Sequence, residues 1–588
     1  MRNRLAVPLI SLAIFGPLCG SLVYLNGAEK VPANVGRKVA DFSLKDALGH
    51  VVALADFKDK KAIVIVFTGT ECTVSNAFMP RLAELNSKYA SKGVQFLAVN
   101  SNRQDTPARV AEHAKLYAVP FPILKDAGNV VADDFGAQRT PEAFVLDADR
   151  SIRYRGRIDD QFGIGFKRAQ PTRRDVATAL DELLAGKPVS QPTTDAPGCL
   201  IARTVRPKTD GAVTYAKHVS RVLQKNCQEC HRPGQVAPMS LLTYDDALAW
   251  SDTIREVLVE SRMPPWYADP RYGHFMNDRR LPAQDKEALL AWLDGGMPKG
   301  DDRDLPPPRE FAEGWGIGKP DLVLTMPEEF TVPAVAPSGG VPYQYFHMKT
   351  DFKEDLWVSS AEARPGSPSV VHHIILFVVP PGEKWDGGEN PNIQLLVGTA
   401  PGEMPSVLPP GYAKKIPAGS ELVWQMHYTA SGTETKDRSQ VGIIFSKEKP
   451  KYNVHTLPVS NDQFEIPAGA DNHLVESWME AKEDGQLLGF MPHMHLRGKD
   501  FLYEAIYPDG RKETLLSVPR YNFAWQNSYR LEKAYPMPKG SKLHCVAHYD
   551  NSANNPNNPD ATEPVIWGEQ TWEEMMIGWI DYVNEKGD

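Results

Sequence analysis

Near the C-terminal end the chain reads GFMPHMHLRG, residues 489–498, with His493 and His495 flanking Met494. In a strand, residues i and i+2 share a face, so two imidazoles at this spacing can close on one metal ion. Upstream, SVVHHIILFVV carries His372 and His373, and ELVWQMHYTA carries His427. Ten of the fifteen histidines lie after residue 340. These clusters sit in apolar, strand-like segments, where an unpaired imidazole is costly. One such histidine is ordinarily a satisfied core or edge residue, but five in three strands point to a metal. Adjacent His372 and His373 face opposite ways in a regular strand, so sharing a metal requires a bulge or a ring reaching around. Imidazoles joined by a thioether favour copper, because sulfur stabilises Cu(I).

Two other motifs carry redox chemistry. CQECH, residues 227–231, is a C-x-x-C-H haem-attachment motif. Cys227 and Cys230 would form thioethers to the porphyrin and His231 would ligate the iron of one covalent haem c. Zinc is the competing ligand, but no second ligand pair lies nearby. Met263, in ESRMPPWYAD, fits best as sixth ligand, following a helix in a loop stiffened by two prolines; Met239, Met276 and Met297 compete. In FTGTECTVSN, residues 67–76, Cys72 follows a strand and opens a helix. Helix N-terminal amides stabilise a thiolate there. Cys199, in APGCLI, is a candidate partner that spacing alone does not test; an inert Cys72 is the alternative.

These residues need several scaffolds. At 588 residues the chain exceeds one core, and a prior of about 100–200 residues per domain suggests about three to five domains. Across 36–187, AIVIVF and VQFLAVN read as buried strands alternating with helices, followed by a hairpin in RTPEAFVLDADRSIRYRG. This order, with Thr140-Pro141 before a strand, resembles the thioredoxin-like fold of the redoxin and peroxiredoxin families. The resemblance implies a cis proline beside the reactive Cys72. It departs from thioredoxins at Ser75, where their second cysteine stands, and from peroxiredoxins at Gly69, where their threonine stands. We read 1–28 as a signal peptide or N-terminal anchor and 30–190 as the redoxin domain. A linker at 191–212, a small all-α cytochrome c-like domain at 213–302 and a second linker at 303–318 follow. Beyond 319, short alternating segments between Pro/Gly turns read as two all-β sandwiches, 319–450 and 451–588.

With a net charge of −9 and no sustained basic patch, nucleic acid is not an expected partner. Arg2 and Arg4 precede an apolar run, Leu5 to Leu18, which predicts export to the periplasm, with cleavage or a membrane tether. Six cysteines are too few for a disulfide scaffold.

VHHIILF, QMHY, HMHLRG and the late EEMM, in this order, resemble the signature of the copper type II, ascorbate-dependent monooxygenases, which include dopamine β-monooxygenase and peptidylglycine α-hydroxylating monooxygenase. The resemblance covers about 319–588 and implies two jelly-roll sandwiches, each holding one copper across a solvent-filled cleft. His372, His373 and His427 would then bind the electron-storing copper. His493, His495 and Met575 would bind the copper where oxygen reacts, with Met576 one residue away. The peptide enzyme's substrate-binding arginine and tyrosine are replaced here by Met491 and Trp579, which argues against peptidyl-glycine. His544 and His548 read as structural. The implied function is an exported copper monooxygenase that hydroxylates a C–H bond of a small organic substrate with O2. An external donor would supply its electrons through the haem. The alternatives are a non-hydroxylating electron-transfer or copper-handling protein, and a thiol peroxidase or thiol–disulfide protein centred on Cys72.

Overall fold

The computed structural model describes residues 34–585, apart from 169, 236, 312–313, 338–339, 386–389, 391, 400–404 and 432. The expected export segment lies outside the described residues. Among these, no helix is long and apolar enough to cross a membrane.

AIVIVF forms β1 (Ala62–Phe67), buried at every residue. Its side chains alternate between two cores, Val64 and Val66 on one side, Ile63, Ile65 and Phe67 on the other. That is the pattern of a strand covered on both faces. α1 (Thr73–Ala90) follows it, with Cys72 as N-cap. β1 runs parallel to β2 (Val94–Asn100). A short β3 (Arg139–Thr140) leads through the cis Thr140–Pro141 bond into β4 (Glu142–Asp147), antiparallel to β1. The seven-stranded sheet runs in the order Val51–Ala53, Ser43–Asp46, Ile123–Lys125, β2, β1, β4, Ile152–Gly156.

The first part of the stretch read as a linker, 191–212, is docked on this domain, and Lys208 N–H bonds instead to the Gly296 carbonyl of the helical segment. Thr194 N–H bonds to the Arg155 carbonyl, β5 (Cys199–Leu200) pairs with β3, and Ile201 is buried in the redoxin core. The Pro- and Thr-rich composition obscured Cys-Leu-Ile-Ala, an apolar tetrad whose burial offsets the entropy of ordering the chain.

The helical segment contains α2 (Ser220–Asn226) and α3 (Ser251–Val259), packed with Ala283–Asp294 around Leu223, Trp250, Leu289 and Trp292. It also reaches into the all-β region: Trp266 and Phe275 belong to the core of the C-terminal sandwich, and Phe275 bridges to Leu531.

The C-terminal region is a large all-β structure. In its first half, β6 (Val371–Val379) and β7 (Glu421–Tyr428) lie in a four-stranded sheet between Gln344–Lys349 and Gln394–Thr399, beside a six-stranded sheet. Leu376, Trp424 and Ile443 fill the space between. In its second half, β8 (Gly485–His493) and β9 (Ile577–Asn584) are central in a four-stranded sheet that packs on another. Phe490, Tyr503 and Cys545 fill that core.

Candidate metal centre and thiol site

β6 and β7 bring the first three histidines together. His373 is directly opposite His427, and the ladder shifts register between Val371 and His373. That irregularity at His372 turns two adjacent residues toward one point, as the sequence required. One ligand nitrogen from each of His372, His373 and His427 lies within 4.8 Å of the others. His372 Nδ1, His373 Nε2 and His427 Nδ1 are buried without a hydrogen-bond partner. A buried polar atom left unpaired costs about 1–3 kcal/mol. Three imidazoles this close, each with a buried nitrogen left unpaired, are a donor set for a soft-to-borderline cation, so the residues fit copper. Burial, reinforced by the neighbouring imidazoles, lowers all three from the ordinary histidine value, His372 to about 4 and His373 and His427 well below 6.5. They are therefore neutral bases at physiological pH.

The second pair stands at the end of β8. His493 closes the strand, while His495 lies beyond it. The shared-face argument therefore does not orient His495; buried Glu574 does. Its carboxylate accepts the N–H of His495 at 2.7 Å and of Arg497 at 2.6 Å, pinning the backbone on both sides of the turn. Burial raises Glu574 to about 7, against the pull of those amides. The rings of His493 and His495 are 5.2 Å apart and nearly perpendicular. His493 Nδ1 donates to Gln526 Oε1 at 2.7 Å, and His495 Nδ1 donates to the Glu573 carbonyl at 3.2 Å. Gln526 Nε2 in turn donates to the Phe523 carbonyl, which sets its amide orientation. With both Nδ1 atoms protonated, both Nε2 lone pairs are available to a metal. Burial lowers His495 to about 3. Met576 is fully buried in the sandwich core, whereas Met575 is only partly buried, leaving Met575 as the candidate thioether.

The two sets are neighbours. Phe523 stacks on His372 at 5.2 Å and meets His495 edge-on at 5.8 Å, so an aromatic ring fills space where the resemblance implied open solvent. Tyr343 covers His373 and His427 at 5.3 and 4.7 Å. The sequence reading missed Phe523, Gln526, Tyr343 and Glu574. Only Glu574 had a signal, standing beside the EEMM methionine. Met491 faces Trp579 across β8 and β9. His544 bonds to Glu476 and His548 to Asp500, apart from the cluster.

The loop carrying Phe523 and Gln526 also touches the helical segment. Asn522 donates to the Tyr267 hydroxyl at 3.3 Å and Asn527 to the Pro265 carbonyl at 3.0 Å. Within that segment, Cys230 and His231 N–H both bond back to the Cys227 carbonyl, so one turn at the end of α2 carries both thiols and the imidazole. Burial raises Cys227 to about 12 and lowers His231. The methionine whose backbone reaches the His231 ring is Met239, which also packs on the helical core. Met263 follows α3, its N–H directed at the Val257 carbonyl, and leads into the Trp266 segment.

The third centre is Cys72. Its sulfur accepts Ser75 N–H at 3.4 Å, and as a thiol it donates to the Thr140 carbonyl at 2.8 Å. Burial pushes this thiol up, but the Cys199 thiol and the Cys199 and Ser75 amides beside the sulfur outweigh it and hold the thiol below the ordinary cysteine value. A Cβ at Gly69 would lie 2.5 Å from Asn102 Nδ2 and 3.2 Å from Thr140 Oγ1, so the peroxiredoxin threonine has no room here.

A cysteine capping the helix after a central strand, beside a cis proline, defines a thioredoxin-like redox domain. Residues 35–155 match the AhpC/TSA family. The thiol-disulfide oxidoreductase ResA of Bacillus thuringiensis subsp. konkukian is 31% identical over 157 residues, 26% of this chain and 86% of that protein. The ResA of Bacillus anthracis is 29% identical over 152 residues, with the same shares. A solved structure of a hypothetical protein from Sinorhizobium meliloti is 35% identical, covering 29% of this chain and 96% of that one, with a TM-score of 0.28. Through its N-terminal domain, the chain belongs to the AhpC/TSA family of redoxins.

Proposed function

We propose that the all-β region is a copper-dependent oxidoreductase that hydroxylates a C–H bond of a small organic substrate with O2. One observation carries this reading: His372, His373 and His427 each bring a ligand nitrogen within 4.8 Å of the others, and each ring has a buried nitrogen without a hydrogen-bond partner. His493, His495 and Met575 would hold a second copper. Copper bound at these positions supplies one-electron redox chemistry and oxygen activation. The chain's own groups prepare for it. Burial keeps the imidazoles neutral, Gln526 and the Glu573 carbonyl hold the Nδ1 protons of His493 and His495, and Phe523 and Tyr343 exclude water from the rings. Cys227, Cys230 and His231 would hold a covalent haem c that supplies single electrons from an external donor. Both covalent attachment and the N-terminal sequence favour an exported location.

The test is metal and haem stoichiometry on the full-length protein, followed by oxygen uptake. Two coppers and one haem per chain, with O2 uptake that depends on an added C–H substrate, support the proposal. Failure to retain copper, or copper binding without substrate-dependent uptake, removes hydroxylation.

A second reading, thiol–disulfide exchange at Cys72, is favoured by the thiolate-stabilising contacts around that sulfur and by the likeness to ResA. The two readings concern different domains. Turnover of an added small disulfide by the full-length protein should be lost in Cys72→Ser, and turnover that survives removes this reading.

A further inference from the structure

Cys72 has no partner at Ser75, yet the fold supplies a cysteine from elsewhere. β5 pairs with β3 so that Cys199 stands opposite Thr140, the residue whose carbonyl accepts the Cys72 thiol. Cys199 packs against the core that holds Cys72, where its thiol and amide favour the Cys72 thiolate. The approach is built in. Gly198 has φ +102°, and a Cβ there would lie 2.1 Å from the Thr140 carbonyl oxygen, so only glycine lets the strand come this close. Upstream, a Cβ at Gly156 would lie 2.2 Å from Thr194 Oγ1, a second glycine that admits the same segment. Ala202 N–H then bonds to Asn102 Oδ1 at 2.9 Å, fastening the strand on its far side.

We propose that Cys72 and Cys199 form the redox-active dithiol–disulfide pair of this domain, assembled from a helix N-terminus and the strand that follows the domain. The inference rests on the thiol-exchange reading and names its missing partner. The two sulfurs are unequal. Cys72 is 1% exposed and receives the hydrogen bonds, whereas Cys199 is partly exposed and, beside Cys72, is held well above the ordinary thiol value. In the disulfide state, an external dithiol therefore attacks the accessible Cys199 sulfur and expels Cys72 as the stabilised thiolate. The second external thiolate then attacks its own sulfur in the mixed disulfide and releases Cys199, which takes up a proton. The external dithiol loses two electrons and becomes a disulfide, the protein pair gains them, and one proton remains with Cys199 and one is released. Stabilising the Cys72 thiolate favours the reduced pair, making this an oxidising couple towards dithiols.

The experiment uses the full-length protein equilibrated in reduced and oxidised dithiothreitol mixtures, followed by alkylation and peptide mass spectrometry. A Cys72–Cys199 linked peptide whose yield follows the buffer is expected. In Cys72→Ser, oxidised glutathione should form a mixed disulfide on Cys199 that persists, because the internal thiolate that would expel glutathione is gone. Gly198→Ala, which keeps both thiols, should lose the linked peptide and raise the pH at which thiolate absorbance at 240 nm appears. Release from Cys72→Ser at the wild-type rate, or no linked peptide at any potential, overturns the pair while leaving exchange at Cys72 standing. A Cys72 that reacts with no disulfide reagent in the wild type or in Cys199→Ser sinks the exchange reading itself.

Discussion

The thiol site and the histidine site are both buried, yet burial has opposite consequences in them. At Cys72, amide and thiol donors converge on one sulfur, so the anion is favoured despite desolvation. At His372, His373 and His427, one buried nitrogen of each ring has no hydrogen-bond partner, and desolvation keeps the bases neutral. One site is furnished with donors for a negative charge, the other with lone pairs for a positive one. The lesson is that burial alone does not assign a role; what the polar atoms face does.

This contrast predicts separable losses. The largest effect is removal of a centre. His427→Ala should lower bound copper by one equivalent, measured by elemental analysis, while leaving Cys72 reactivity intact. Cys72→Ser should do the reverse. A variant that loses both would show that the two sites are coupled and break the contrast.

The adjacent methionines give the next effect. Met576→Ala empties a core position and should cost about 2–5 kcal/mol in denaturant unfolding. Met575→Ala, at a partly buried position, should weaken copper binding with a much smaller loss of stability. Gln526→Ala frees the Nδ1 proton of His493 and should weaken copper at that pair by about 10–100-fold in a competition titration.

The pH effects sharpen the contrast further. Because the Cys72 thiol is held below the ordinary cysteine value, its alkylation should persist at pH values where an ordinary cysteine, near about 8.5, is already protonated, and should be lost only on further acidification. For the histidines the consequence is stability. The unfolded chain takes up their protons near 6.5, whereas the folded metal-free protein resists, His372 to about 4 and His495 to about 3. Stability contributed by these groups is present above 6.5 and is lost as pH falls toward those values. Calorimetry of the metal-free protein should show the melting temperature declining through that window, and bound copper should shift the loss to lower pH.

Much of this was legible in one dimension because local pattern and local structure coincide. AIVIVF is buried at all six positions, as an uninterrupted apolar run in a parallel region should be. The C-x-x-C-H turn closes on itself through hydrogen bonds to Cys227, so its spacing alone brought the groups together. The adjacent histidines demanded an irregular strand, and β6 has one. What was not legible depends on approach between distant segments. Cys199 reaches Cys72 through pairing with Thr140, and a composition reading took that segment for a linker. Phe523 and Gln526 lie on a loop with no repeating pattern, so nothing marked them as neighbours of His372 and His493.

By itself the sequence determined which chemistries are available: a thiol opening a helix, two thiols and an imidazole on one turn, and histidines in apolar strands. Side-chain type and short spacing are sufficient for these, because covalent geometry fixes what neighbours along the chain can share. Only the tertiary structure decided which groups meet. It set Cys199 beside Cys72, pressed Phe523 between the two histidine sets, and separated Met575 from Met576 by packing one into the core. Those outcomes depend on which sheets and loops come to lie against one another, and the energy of that packing is spread over residues far apart in the chain.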